Sequence, residues 1–280
     1  MNPLHSFHFF WKIARGRYIL YRIFLRIKLG KKKRDELIKR SRISEFDFLP
    51  EKVYTTNEGF KVIPRKGTRD FQMMLIPREA EVRRYLTMET NEAFVDVGAN
   101  VGFYSLDVAN EFKEKTIQVI AIEAHPENFK ALRRNIECNR FEEIITPINK
   151  AVSDHQGKVT LFERSHDGAR ADSELYSVCN DPSIDGYNIL HPAGKTLDVQ
   201  CDTLDNIVKD RRVDVVKIDV EGAEVQVLKG ARQTLERIRK IVVEIHGNNS
   251  MKVQQELARC GFQLTNLKEE DKMTYVAGSK

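Results

Sequence analysis

Phe94-Val95-Asp96-Val97-Gly98-Ala99-Asn100-Val101-Gly102-Phe103-Tyr104-Ser105-Leu106 decides the fold of this chain. An apolar run ending in an acid, then two glycines four residues apart, then a helical apolar pattern reads as a strand, a tight turn and a helix. Glycine accepts positive φ and has no Cβ to hold a ligand away, and the helix that follows opens with unpaired N–H groups. Gly98 and Gly102 are therefore expected to line a cleft. The spacing is D-x-G-x-N-x-G, not the G-x-G-x-x-G of a dinucleotide site, which argues against a nicotinamide cofactor.

Downstream, Thr116-Ile117-Gln118-Val119-Ile120-Ala121-Ile122-Glu123 is a buried-strand pattern that also ends in an acid, about twenty residues past the turn. Glu123 is thereby placed to take ribose hydroxyls. A carboxylate at Asp96 suits a cationic ligand better than a pyrophosphate, and S-adenosylmethionine carries both a sulfonium and an ammonium. Pro126 opens an amphipathic helix with Phe129, Leu132 and Ile136 on one side. A third strand follows at 144–148, and Asn149-Lys150-Ala151-Val152 come next, at the edge where an adenine would lie.

A second dense motif, Val213-Asp214-Val215-Val216-Lys217-Ile218-Asp219-Val220-Glu221-Gly222-Ala223-Glu224, sets Lys217 and Asp219 on one face of a β-branched strand before another glycine turn. Charges on a buried strand must pair or face a cavity. Ile241-Val242-Val243-Glu244-Ile245-His246-Gly247 is a fifth strand, ending near a histidine that titrates close to neutrality when unperturbed. Asp219, Glu221 and His246 are the candidate bases, with Lys217 fixing the carboxylates or the substrate. Asp202 and Asp205 are expected to cap a short helix. A helix over 251–260 and strands at 262–267 and 273–277 close the chain as a hairpin. Strand–helix alternation ending this way predicts a mostly parallel sheet with one reversed edge strand.

Residues 1–42 differ from the rest. They carry about thirteen Lys and Arg against two acids, so the remaining chain is net acidic although the whole is +5. Lys12, Arg15, Arg22 and Arg26 recur at helical spacing among Phe9, Phe10, Ile13, Leu20, Phe24 and Ile27. Basic residues interrupt every apolar run before it is long enough to span a bilayer. The segment reads either as a helix lying on an anionic membrane surface, helped by Lys31-Lys32-Lys33-Arg34, or as a helix packed on protein. The chain then divides into a lead-in region, 43–90, with a hairpin around Asn57-Glu58-Gly59, and a main domain, 91–280. Within the latter, 164–195 lacks periodicity and is expected to be a substrate loop. Asp181-Pro182 within it is no D-P-P-Y signature, because no buried strand precedes it.

Four cysteines, Cys138, Cys179, Cys201 and Cys260, stand far apart with no C-x-x-C pair. Neither a disulfide framework nor a zinc site is suggested, no metal ligand set is expected, and the compartment is read as reducing. Nucleic acid is disfavoured by the acidic main domain.

With these residues in hand, the chain resembles the FkbM family of S-adenosylmethionine-dependent methyltransferases. FVDVGANVGFYSL, AIEAHPENFKALRRNI, VDVVKIDVEGAEVQVLKGA and the later VVEIHG carry the likeness over 94–246. The resemblance implies a class I methyltransferase fold, a Rossmann-like seven-stranded sheet with the cofactor at its carboxyl edge, and usually methyl transfer to oxygen. Asp96, Gly98, Asn100, Gly102 and Glu123 match the cofactor pattern, and Ala99, Phe103, Ala124 and Ala151 complete the expected cofactor-facing set. Asp219 matches an acid that approaches the methionine moiety or the acceptor. The expected acceptor is a hydroxyl of a saccharide, glycolipid or related small molecule. The expected location is the cytoplasm, peripheral on the inner face of a membrane. The alternatives are a catalytically silent, membrane-held interaction module and, less favoured, a nicotinamide oxidoreductase.

Overall fold

The computed structural model describes residues 15–20, 49–66, 68–75, 79–163, 176–177, 196–270 and 273–280. Strands β1 (Tyr54–Thr55) and β2 (Lys61–Val62) pair antiparallel around the expected turn, and helices α1 (Asp70–Leu75) and α2 (Ala80–Tyr85) lead into the main domain. There, β3 (Ala93–Val97), α3 (Phe103–Phe112), β4 (Gln118–Ile122), α4 (Pro126–Asn139) and β5 (Ile145–Ile148) alternate. After an intervening small sheet come α5 (Leu204–Val208), β10 (Val215–Ile218), α6 (Glu224–Lys229), α7 (Arg232–Arg237), β11 (Lys240–His246) and α8 (Ser250–Arg259). The chain ends in β12 (Gln263–Glu270) and β13 (Met273–Ser279).

Seven of these strands form one sheet in the order β12-β13-β11-β10-β3-β4-β5, parallel from β11 to β5. Every residue of β3 and β10 is buried, because helices cover both faces of a parallel sheet. Alternate residues feed two cores. Phe94, Val119 and Val242 pack with Met74, Leu106 and Leu132 on one side, while Val95, Ile218 and Val243 pack with Leu204, Val227 and Leu257 on the other. The result is a mixed α/β sandwich with the class I methyltransferase arrangement of strands.

The terminal hairpin is antiparallel, but its reversed member is not at the edge. β13 lies between β12 and β11, one position in. Burial explains the order: Tyr275, Val276 and Ala277 of β13 are in the core, whereas Gln263, Thr265 and Asn266 of β12 are exposed, and a polar strand is the safer edge.

The small sheet runs β6-β9-β7-β8, with β6 (Ala151–Val152), β7 (Gly157–Glu163), β8 (Tyr176–Ser177) and β9 (Thr196–Asp202). It buries Ala151, Leu161, Val199 and Cys201 together and so brings Ala151 to the edge of the main sheet. Apart from β8, the expected substrate loop at 164–195 lies outside the described residues. So does the amino-terminal segment with its Lys31–Arg34 run, except for helical residues 15–20, whose Ile19 and Leu20 are exposed. Among the described residues no helix is long and apolar enough to cross a membrane.

Helix capping departs from the expectation in an instructive way. Thr203 caps α5, its side chain accepting from the Asn206 amide, while Asp202 accepts from the Thr203 amide and the Asn206 side chain. Asp205 instead reaches across to α7. It accepts from the amides of Gln233 and Thr234 at 3.1 and 2.8 Å and from the Thr234 hydroxyl at 2.7 Å. Asp205→Ala is expected to lower stability by about 1–2 kcal/mol. Urea denaturation would show this as an earlier midpoint at unchanged slope.

Candidate active site

The carboxyl ends of the parallel strands converge, as they do where open α/β sheets bind ligands. Gly98 leaves β3 at φ +82°, and a Cβ there would stand 1.8 Å from the Asp219 carbonyl oxygen at the end of β10. The Gly98 and Ala99 amides both donate to the Ile122 carbonyl at 2.9 Å, and the Asn100 amide donates to the Glu123 carboxylate at 2.8 Å. The turn is thus tied to the end of β4. Gly102 has another duty: it sits at φ +100°, a Cβ there would meet Leu132 Cδ1 at 2.6 Å, and its small size lets α3 pack on α4.

Two cavities meet here. An open cleft is walled by Glu123, Ala124, Lys150, Ala151, Val220 and Glu221, among others. A smaller one is walled by Met73, Glu79, Ala99, Phe103, Tyr104 and Lys217. Gly98, Asn100 and Asp219 line both. Asp96 and Gly102 line neither.

Asp96 sits behind the turn, 1% exposed, where Oδ2 accepts from the Ser105 hydroxyl at 2.7 Å. Its strand register places it beside Lys217 on β10. Burial pushes its carboxyl up, and the Lys217 ammonium opposes this. Glu123 is also buried, which raises it to about 7 even though it accepts the His125 and Asn100 amides. Asn100, at φ +51°, has a buried Oδ1 with no hydrogen-bond partner among the described residues. Left-handed backbone is tolerated by asparagine, and the residue lines both cavities.

The second motif builds a cluster of charges. Lys217, 2% exposed, lies 3.2 Å from Asp219 Oδ2 and 4.6 Å from the centre of the Tyr104 ring. Burial works against its charge, but Asp219, Asp96 and Glu244 outweigh burial and raise its pKa. Asp219 feels the converse: burial is overcome by Lys217 and His246, and it is held below the usual carboxylate range. His246 Nδ1 meets Glu224 Oε1 at 3.0 Å, and Nε2 faces Glu221 and Glu244 at 3.4 and 3.5 Å. Burial favours the neutral ring, yet these glutamates hold it well above its ordinary value. An imidazolium has no lone pair with which to take a proton, so His246 is ill suited to be a base.

Two members of this cluster were not singled out from the sequence. Glu224 is fully buried and accepts from the Gly222 amide, His246 and the Asn249 side chain. Glu244, next to Tyr275 in the strand register, is pushed to about 7 by burial and by Asp219. The signals were present: Glu224 lies three residues after Glu221, and Glu244 two before His246 on the same face of a strand.

A family model described as the methyltransferase FkbM domain matches residues 96–264. The chain is 27% identical over 201 residues to the hexuronic acid methyltransferase AglP of Haloferax volcanii, covering 69% of this chain and 74% of that one. It is 24% identical over 204 residues to methyltransferase sdnD of Sordaria araneosa, covering 65% and 78%. In structure it resembles methyltransferase FkbM from Methylobacillus flagellatus KT, with a TM-score of 0.51 and 18% identity, over 75% of this chain and half (50%) of that one.

Proposed function

The chain belongs to the FkbM methyltransferase family, and from that premise we propose that its cleft binds S-adenosylmethionine and methylates a hydroxyl of a saccharide, glycolipid or related small molecule. The observation that carries this reading is the junction of the two motifs: the Asn100 amide on the Glu123 carboxylate sets the glycine turn against the acid expected to take ribose hydroxyls. The residues fit the cofactor. Glu123 lines the cleft as an acceptor for ribose hydroxyls, Ala124 and Ala151 offer an apolar wall, and Asp219 presents a carboxylate to a cation. The saccharide acceptor is suggested by the name of the Haloferax volcanii relative.

S-adenosylmethionine supplies an electrophilic methyl group when bound. What the protein adds is alignment and a destination for the hydroxyl proton. Asp219, ionised and partly exposed at the meeting of the two cavities, is the proton acceptor in this scheme, and Lys217 holds it in place. Incubation with labelled S-adenosylmethionine and a panel of neutral and acidic saccharides tests the reading. Label in an alkali-stable ether supports hydroxyl methylation. Label released by mild alkali marks a carboxyl ester and contradicts it.

The shifted Glu123 also makes a prediction. Ribose hydroxyls donate to the carboxylate, so binding requires the ionised form, which gains as pH rises through about 7. Affinity for S-adenosylmethionine should rise about tenfold from pH 6 to pH 8, and Glu123→Gln should flatten the profile. The ligand-free protein should change in the opposite sense. Between the ordinary value of 4.5 and about 7 its folded state keeps a proton the unfolded state has lost, so Glu123's contribution to stability falls as pH rises.

A further inference from the structure

We propose that Asp219, Glu221 and His246 hold a divalent cation at the mouth of the larger cavity, where it receives the acceptor's oxygen. One donor atom from each residue lies within 4.8 Å of the others. His246 Nε2 and Glu221 Oε2 are 3.4 Å apart. Donors about 2.1 Å from a shared metal at tetrahedral or octahedral angles are about 3.0–3.4 Å apart, so this distance is the length of a ligand–ligand edge.

The imidazole points to a ligand independently of the two acids. It is 5% exposed, and Glu224 takes its Nδ1 at 3.0 Å, which turns Nε2 toward Glu221 and Glu244. Glu224 is itself fixed, its other oxygen accepting from the Asn249 side chain at 3.1 Å. A buried carboxylate behind a histidine is the usual outer support of a metal-binding imidazole. Asp219 and Glu221, with side chains 27% and 30% exposed, leave an opening for the ion. Lys217 lies 3.2 Å from Oδ2 of Asp219 and holds that carboxylate in place.

Charge also favours a cation. Asp219, Glu221, Glu224 and Glu244 face Lys217 and His246, so carboxylates outnumber cationic side chains. Two carboxylates and one imidazole suit Mn²⁺ or a similar divalent ion. Binding at Nε2 displaces any proton there to solvent. The fitting acceptor is one that chelates: two neighbouring hydroxyls, or a hydroxyl beside a carboxylate. That role rests on the methyl-transfer reading, whereas the cation site itself does not.

The test is a Mn²⁺ titration of the full chain, freed of metal by a chelator, followed by electron paramagnetic resonance without cofactor. One equivalent should bind. The Asp219→Asn, Glu221→Gln double variant should lose that binding, and Glu224→Gln should weaken it about 10- to 100-fold. Far-ultraviolet circular dichroism and urea denaturation in chelator confirm that each variant is folded. Absence of Mn²⁺ binding by the native protein, or equal binding by the double variant, overturns the proposal. Failure of the methyl-transfer reading would appear separately, as absent S-adenosylmethionine binding in chelator.

Discussion

Gly98→Ala is expected to destabilise the protein by more than about 4 kcal/mol, a large share of the stability of a typical domain. Two effects combine. Alanine at φ +82° is strained by about 1 kcal/mol or more, and its Cβ would stand 1.8 Å from the Asp219 carbonyl oxygen. That oxygen is backbone on the neighbouring central strand, so no rotamer relieves the clash. β3 and β10 would have to separate, straining the bond from the Asp219 amide to the Val97 carbonyl, now 2.9 Å. Two other glycines grade the argument. Gly102→Ala meets only a leucine methyl, at 2.6 Å, and should cost about 1–3 kcal/mol. Gly261→Ala, at φ +83° with nothing within 4 Å, should show the backbone strain alone, about 1 kcal/mol. Urea denaturation of the three variants checks the order. A Gly98→Ala protein as stable as Gly261→Ala would refute the close approach.

Lys217→Met carries the second large effect. Methionine preserves much of the buried stem and removes the ammonium. Asp96, 1% exposed, and Asp219 then lose the cation that compensates them. Removing one partner of a buried ion pair costs about 3–5 kcal/mol, and the partial exposure of Asp219 places the expectation at the lower end. Adding Asp219→Asn to Lys217→Met should recover part of the loss, since one stranded charge disappears with it. A double-mutant cycle by chemical denaturation measures this coupling. A cost below about 1 kcal/mol with no coupling would show that the pair does not sustain the turn.

The sequence makes the parallel core legible because its strands are short, apolar, and punctuated by glycine and acid. Phe94 to Val97 and Val215 to Ile218 admit no other regular reading once helices flank them. The position of β13 was hidden, since two adjacent strands reveal a hairpin but not which of them pairs with the older sheet. The asymmetry is there in hindsight, in Tyr275-Val276-Ala277 against the polar Gln263, Thr265 and Asn266. At Gly102 a positive φ and a close approach leave the same trace in the sequence, whether the neighbour is a ligand or Leu132. The charged cluster was only half visible. Lys217 and Asp219 are two residues apart at the end of β10, but Glu224 and His246 are 22 residues apart and meet only once α6 packs on β11.

The most direct measurement is a calorimetric titration of S-adenosylmethionine into the native protein and Glu123→Ala, with NAD as comparator. One site for S-adenosylmethionine, no heat from NAD, and at least tenfold weaker binding by the folded variant is the predicted result. No binding by the folded native protein, or the same affinity in Glu123→Ala, would contradict the assignment of this cleft to the methyl donor.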